Sequence, residues 1–156
     1  MVNSHWLELK IPPVAVFLVA VGAGYGLCKL FPSLDFNLPF RDVVLAICFG
    51  LSGFFGLNGI WMFRRVKTTV HPIDLEKVSS FVEQGAFKVT RNPMYLGLLL
   101  LLVFEFAWLE NGAMFLAIIG FVVYMNRFQI VPEERFLERR FGSSYVEYRQ
   151  RVRRWL

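Results

Sequence analysis

Two polar clusters at the ends of long apolar segments hold the residue types that could do chemistry. The first is the stretch RNPMYLG at residues 91–97, and the second is PEER at residues 132–135. A charged cluster beside an apolar segment can be a simple membrane anchor. Two such clusters joined by a hairpin can instead build one polar pocket at the membrane face, so both are parts of a candidate site.

Asn92 and Pro93 predict the start of a helix, because asparagine is a preferred N-cap residue and proline suits the first helical position. The free N–H groups and the positive dipole end of such a helix suit the carboxylate of an amino-acid-like ligand. Arg91 could add a charge-assisted hydrogen bond to the same group. The alternative is that Asn92 and Pro93 only cap the helix and that Arg91 only anchors it at the interface.

Glu133 and Glu134 are the second chemical signal. Two adjacent acids at a membrane boundary repel anionic headgroups, so lipid anchoring does not explain them. Neighbouring residues on a helix point about 100° apart and need not share a target. One carboxylate could bind an ammonium group or ribose hydroxyls while the other pairs with an arginine. The alternative is compensation of the helix dipole in the first turn after Pro132.

The composition indicates a membrane protein of one domain. The chain has 156 residues, of which 56% are hydrophobic, and its mean hydropathy is +0.49, whereas soluble domains are about 45–50% apolar. The net charge of +5 is therefore assigned to anionic lipid headgroups rather than to nucleic acid. Cys28 and Cys48 lie in apolar segments and indicate neither a disulfide framework nor a metal site.

Four apolar segments approach the roughly 20 residues that a membrane helix needs, and they cover residues 12–31, 41–63, 93–108 and 113–131. The third segment is short, and only residues 110–112 separate it from the fourth, which predicts a tight hairpin. The predicted fold is an all-α integral membrane bundle with about four transmembrane helices and C-terminal amphipathic helices. We expect one membrane domain, residues 1–156, with two helices in 1–63 and the catalytic part in 64–156.

The distribution of basic residues predicts the orientation. Of the 17 lysines and arginines, six lie in residues 64–91 and seven follow residue 132, whereas the connection around Asn111 has none. The positive-inside rule places both basic regions, and therefore both termini, in the cytoplasm. The tail is expected to form a helix over 133–141 that stops at Gly142, then a second helix capped by Ser144 and Glu147.

Several further residues have both a functional and a structural interpretation. His71 could act as a base or bind a cofactor group, although a single loop histidine more often does neither. Gly97 could admit a ligand or a neighbouring helix, and the stripe of Gly50, Gly53, Gly56 and Gly59 predicts helix packing. Glu105 within the third segment is a functional candidate, or it reaches interfacial water near Trp108.

The ordered set of motifs resembles the isoprenylcysteine carboxyl methyltransferase and phospholipid methyltransferase family, whose members are integral membrane enzymes that use S-adenosylmethionine. The resemblance covers residues 68–156 and consists of TTVHP at 68–72, GAF at 85–87, RNPMYLG at 91–97, the double glutamate and FGSSY at 141–145. The family usually has histidine where this chain has Asn92. An asparagine keeps a hydrogen-bonding side chain but has no titratable ring.

The resemblance also implies roles for individual residues. Arginines of the tail would hold an anionic substrate head, and these are Arg135, Arg139 and Arg149. The residues expected to bind S-adenosylmethionine, and the product S-adenosylhomocysteine, are His71, Gly85, Arg91, Asn92, Pro93, Tyr95, Gly97, Glu133 and Glu134.

The predicted function is methyl transfer from S-adenosylmethionine to a lipophilic acceptor in the membrane. Isoprenylcysteine-type carboxyl methylation is the first expectation by resemblance, and phospholipid or amine N-methylation is the second. A membrane reductase of the sterol-reductase type is a further alternative, although two glutamates are poor neighbours for the phosphates of its nicotinamide cofactor. A non-catalytic scaffold, whose polar clusters only anchor helices, also remains open.

Overall fold

The described residues, 6–65 and 81–156 of a computed structural model, are mostly helical. The helices are α1 (Pro13–Leu30), α2 (Arg41–Arg65), α3 (Pro93–Leu109), α4 (Met114–Tyr124), α5 (Val131–Phe141) and α6 (Ser143–Arg151). A π-helical segment, Met125–Ile130, joins α4 to α5 without a break. Within these residues two isolated β-bridges occur and no strand forms. The predicted all-α membrane bundle is confirmed.

Three helices are long and apolar enough to cross a membrane, and they cover Pro13–Leu30, Arg41–Arg65 and Met114–Phe141. Helix α3 is apolar but has only 17 residues, as predicted, and therefore a length of about 26 Å. Its C-terminal end lies beside that of α1, because Asn111 just after α3 bonds to the Phe31 carbonyl just after α1. The fourth span was predicted to end at residue 131, whereas the helix continues to Phe141.

The core lies between α1, α3 and the long fourth helix. Its most buried side chains are Leu102, Met114, Phe121, Met125 and Ile130, all at 2% exposure or less. Helix α2 packs along the other side of α3. Two connections, residues 31–40 after α1 and residues 110–113 after α3, lie at the same end of the bundle. They bond to each other through Asn111, whose side-chain nitrogen also donates to Asp35.

Only part of the predicted glycine stripe on α2 contacts a neighbouring helix. A Cβ atom at Gly59 would lie 2.7 Å from the Met94 side chain, and a Cβ atom at Gly97 would lie 3.3 Å from the Gly56 nitrogen. The positions of Gly50 and Gly53 have nothing within 4 Å among the described residues, so the packing prediction is wrong there. The contact follows the helix face of Ser52, Gly56 and Gly59, which are spaced by four and three residues, and Gly50 and Gly53 lie off that face.

We expect Gly97→Ala to lower the free energy of unfolding by about 1–3 kcal/mol, because overpacking between fixed backbones is destabilising. The new Cβ would lie 3.1 Å from the Ser52 carbonyl oxygen and 3.3 Å from the Gly56 nitrogen. Thermal unfolding in detergent measures the effect. The matched control is Gly53→Ala, which has open space and should be neutral or slightly stabilising. Equal effects of the two substitutions would contradict the packing explanation.

The tail folds back against the start of α3. Helix α5 ends at Gly142, whose φ of 56° lies in the region that favours glycine, so the predicted stop is confirmed. The predicted capping box of Ser144 and Glu147 is wrong, because α6 already begins at Ser143 and has no side-chain cap. Helix α6 is held instead by the burial of Tyr145, Tyr148 and Val152, and the Tyr148 hydroxyl donates to the Phe87 carbonyl at 2.8 Å.

Candidate functional site

A carboxylate between two arginines lies where the tail meets the start of α3. Arg91 and Glu134 are paired at 2.6 Å, and both side chains are only 10% exposed. Arg154 bonds to both oxygens of the same carboxylate, at 3.1 and 2.7 Å. The hydrogen bond to Glu134 raises the pKa of Arg154. Because buried charges need partners, this ionic cluster fixes the relative position of α3, α5 and the tail.

Arg91 bonds mainly within the protein. Its Nη1 donates to the carbonyls of Arg149 and Val152, each at 2.8 Å, and its backbone N–H donates to Arg153 at 2.9 Å. The remaining Nε is buried and has no partner among the described residues. The guanidinium therefore links the start of α3 to the tail. Its predicted contact with a ligand stays a prediction.

Asn92 occupies the N-cap position of α3, and Pro93 is the first helical residue as predicted, but the asparagine side chain does not cap the helix. Its Nδ2 donates instead to the Arg154 carbonyl at 2.9 Å. Thr90 donates to that same carbonyl at 3.1 Å. The predicted side-chain cap is wrong, because the parallel bridge between Thr90 and Arg153 places a carbonyl within reach of the amide.

The two glutamates of α5 have different partners. Tyr95, in the first turn of α3 and 7% exposed, donates its hydroxyl to Glu133 Oε1, whereas Glu134 pairs with arginines. The second oxygen of Glu133 receives no hydrogen bond within residues 6–65 and 81–156. The prediction that one acid pairs with an arginine is confirmed, and Glu133 keeps an acceptor that is available to a ligand.

The π-helical segment contributes a residue that the sequence reading missed. Asn126 Oδ1 accepts from Trp155 Nε1 at 3.2 Å and is 3.5 Å from Arg154 Nη1. Single π turns inside α-helices are frequent at functional sites. The sequence could have indicated Asn126 as a site residue, because it is a polar side chain inside an apolar span. Nothing in the sequence indicated Arg154 or Trp155 beyond the basic character of the tail.

Both glycines of the predicted site pack against α2. Gly85 has a φ of 61°, and a Cβ there would lie 2.5 Å from Asn58 Oδ1, which accepts the Ala86 N–H at 2.8 Å. Gly97 lies against the backbone of Ser52 and Gly56. Helix packing and turn geometry account for both residues, and their predicted contact with a cofactor stays a prediction.

The three tail arginines predicted to hold a substrate have other partners in the structure. Arg135 pairs with Glu8 at 2.8 Å and Arg149 with Glu138 at 2.8 Å, while Arg139 donates to the Arg135 carbonyl at 3.2 Å. These contacts leave the role in substrate binding a prediction.

The remaining expectations concern His71, Glu105 and metal binding. His71 lies outside the described residues. In α3, Glu105 Oε2 is buried and has no partner among the described residues. No group of His, Cys, Asp or Glu side chains in the part of the chain that the structure describes has the arrangement of a metal site.

Similar known sequences show the family to which the chain belongs. A sequence model of the phospholipid methyltransferase family matches residues 40–144. An uncharacterized protein of Haemophilus influenzae is 49% identical over 63 residues, which are 40% of this chain and all of that protein. Protein-S-isoprenylcysteine O-methyltransferase B of Arabidopsis thaliana is 36% identical over 80 residues, which are 49% of this chain and 39% of that protein. No solved structure matches with significance.

The matched region contains both polar clusters and most of the helical bundle. It includes α2, α3, the π-helical segment, α5 and the Arg91–Glu134 ion pair. The sequence resemblance, the apolar helices and the joining of the two motifs at one end of the bundle are therefore consistent with one another. The resemblance is confirmed, and this membrane protein belongs to the phospholipid methyltransferase family.

Proposed function

We propose that the chain is an integral membrane methyltransferase that transfers the methyl group of S-adenosylmethionine to a lipophilic acceptor. The observation that carries the proposal is the meeting of Glu133 and Tyr95 beside the Arg91–Glu134–Arg154 cluster, at one end of an apolar bundle. In a chain of this family, that end combines polar groups for a charged cofactor with apolar walls for a lipid. Membership of the family supports methyl transfer.

The residues present fit a cofactor with an amino-acid end and a ribose. Glu133 offers a carboxylate oxygen to an ammonium group or a ribose hydroxyl, since a charged acceptor forms stronger hydrogen bonds than a neutral one. The N-terminus of α3 offers backbone N–H groups to a carboxylate. Arg91, Asn92 and Glu134 hold these groups in place through their bonds to the tail. Tyr95 orients the Glu133 carboxylate through its hydroxyl.

The chemistry asks mainly for alignment and exclusion of water. When bound, S-adenosylmethionine would supply a methyl group already activated by its sulfonium, and the sulfur would leave as the neutral thioether of S-adenosylhomocysteine. The protein contributes by positioning both reactants in line and by keeping the site dry. An acceptor carboxylate needs no general base, whereas an amine must arrive neutral or lose a proton.

Among acceptors we favour an isoprenylcysteine-type carboxylate, with a phospholipid or other amine as the second candidate. The first is supported by the partial similarity to Protein-S-isoprenylcysteine O-methyltransferase B, and the second by the description of the family that matches. Arg135, Arg139 and Arg149, exposed or half-buried on the tail helices, would attract an anionic headgroup. The site lies at the end of the bundle that the positive-inside rule assigns to the cytoplasm.

The test is binding of S-adenosylhomocysteine to the detergent-purified protein by calorimetry, followed by transfer of labelled methyl groups. We expect micromolar binding. The labelled methyl group should be found on the carboxylate of an added prenylated cysteine and not in the headgroup of a phospholipid. Label in a phospholipid amine instead would overturn the preferred acceptor and keep the methyltransferase. A folded protein that binds neither S-adenosylmethionine nor S-adenosylhomocysteine is not this enzyme.

A further inference from the structure

Trp155 differs from the other tryptophans of the chain. Trp6, Trp61 and Trp108 are 69%, 55% and 56% exposed, as expected of side chains at a membrane interface. Trp155 is half-buried. It packs against the core cluster that contains Tyr95 and also against the separate cluster of Phe55, Ala86 and Leu96. Its ring therefore lies between α2, α3 and the fourth helix rather than at the bilayer surface.

The orientation of this indole is fixed by a hydrogen bond at its edge. Trp155 Nε1 donates to Asn126 Oδ1 at 3.2 Å, and the same oxygen is 3.5 Å from Arg154 Nη1. Arg154 in turn bonds to Glu134, next to Glu133. The indole is thus connected to the acid pair through Asn126 and Arg154, and it also packs against the apolar core. A partly accessible aromatic ring of fixed orientation is a ready surface for stacking.

We infer that Trp155 forms a wall of the cofactor site and stacks on the purine ring of the methyl donor. The inference rests on the proposed function and adds a residue to it. Glu133 would take the polar end of the ligand, and Trp155 its flat apolar ring. Stacking of a base on an aromatic side chain tolerates replacement by another aromatic residue, because it depends on the ring face.

A single-tryptophan variant tests the inference directly. Trp6, Trp61 and Trp108 are replaced by phenylalanine, so that all tryptophan emission comes from Trp155. S-adenosylhomocysteine is then titrated while calorimetry is run on the same protein. We expect the ligand to quench the Trp155 emission, and the dissociation constant from this titration should equal the one from calorimetry. Calorimetric binding without any change in Trp155 emission would overturn the role of Trp155 and leave the proposed function standing. Absence of calorimetric binding would instead remove the proposed function, and this inference with it.

Substitutions at the same position separate stacking from simple packing. Trp155→Phe keeps an aromatic face, and we expect its dissociation constant to stay within about threefold of wild type. Trp155→Leu keeps apolar bulk without the ring, and we expect affinity to fall about tenfold or more, where each tenfold corresponds to about 1.4 kcal/mol. Equal affinities of the Phe and Leu variants would contradict stacking. If the Leu variant does not fold, the single-tryptophan titration still decides.

Discussion

Glu133→Gln is expected to weaken S-adenosylhomocysteine binding by about 10- to 100-fold, because a hydrogen bond to a charged group contributes about 1.5–3 kcal/mol. The amide oxygen can still accept the Tyr95 hydroxyl, so the fold should be retained while the negative charge is lost. Calorimetry on the purified variant measures the affinity, and its thermal unfolding should remain close to that of wild type. The result would identify Glu133 as a ligand contact rather than a structural acid.

The matched control for this prediction is Glu138→Gln, on the same helix. Glu138 pairs with Arg149 at 2.8 Å, but the two side chains are 40% and 38% exposed, and such surface pairs contribute about 0–1 kcal/mol. The affinity of the Glu138→Gln variant for S-adenosylhomocysteine should stay within about twofold of wild type. A folded Glu133→Gln variant that binds as tightly as the Glu138→Gln control would remove Glu133 from the binding site.

Arg91→Ala is expected to lower the free energy of unfolding by about 3–5 kcal/mol, since it removes one of the two cations on the buried Glu134 carboxylate, which then keeps only Arg154. The substitution also frees the carbonyls of Arg149 and Val152 from their donor. For a chain of this size the melting temperature should fall by roughly 10 °C, at about 2–4 °C per kcal/mol. Thermal unfolding followed by circular dichroism in one detergent measures the change.

Arg151→Ala provides the comparison for the loss of an arginine. Arg151 pairs with Glu83 at 2.7 Å, yet the side chains are 67% and 39% exposed, and the expected effect is below about 1 kcal/mol. Combining Arg91→Ala with Glu134→Ala should cost less than the sum of the two single variants, because the partners lie in contact. Additive effects, or an Arg91→Ala variant as stable as Arg151→Ala, would contradict a structural role for the cluster.

Together these variants divide the motif residues into two groups. Arg91, Asn92 and Glu134 bond to one another or to the tail, so their loss should act first on stability. Glu133 and Tyr95 share one hydrogen bond and leave a carboxylate oxygen for a ligand, so the loss of the Glu133 charge should act first on affinity. A motif that looks uniform along the chain therefore combines structural residues with candidate binding residues.

Local sequence signals predicted most of the helices and one pairing in the site. The apolar lengths, the Asn92-Pro93 start and the Gly142 stop depend on chemistry within a few residues, and the structure confirms α3 at Pro93–Leu109 and the end of α5 at Phe141. The pairing of one glutamate with an arginine also follows from sequence, because an acid at a membrane boundary needs a cationic partner. The sequence could not show whether Glu133 or Glu134 pairs with the arginine, because the two residues are identical and adjacent.

The sequence by itself determined the apolar helical bundle, the family and the two polar clusters, because hydrophobic length and short motifs are properties of contiguous residues. Only the tertiary structure decided that Asn92 bonds to the Arg154 carbonyl instead of capping its helix, and that Asn126 meets Trp155. These contacts join residues 62 and 29 positions apart. A hydrogen bond between residues so far apart in the sequence depends on how the helices and the tail pack, and the propensities of short segments do not predict that packing.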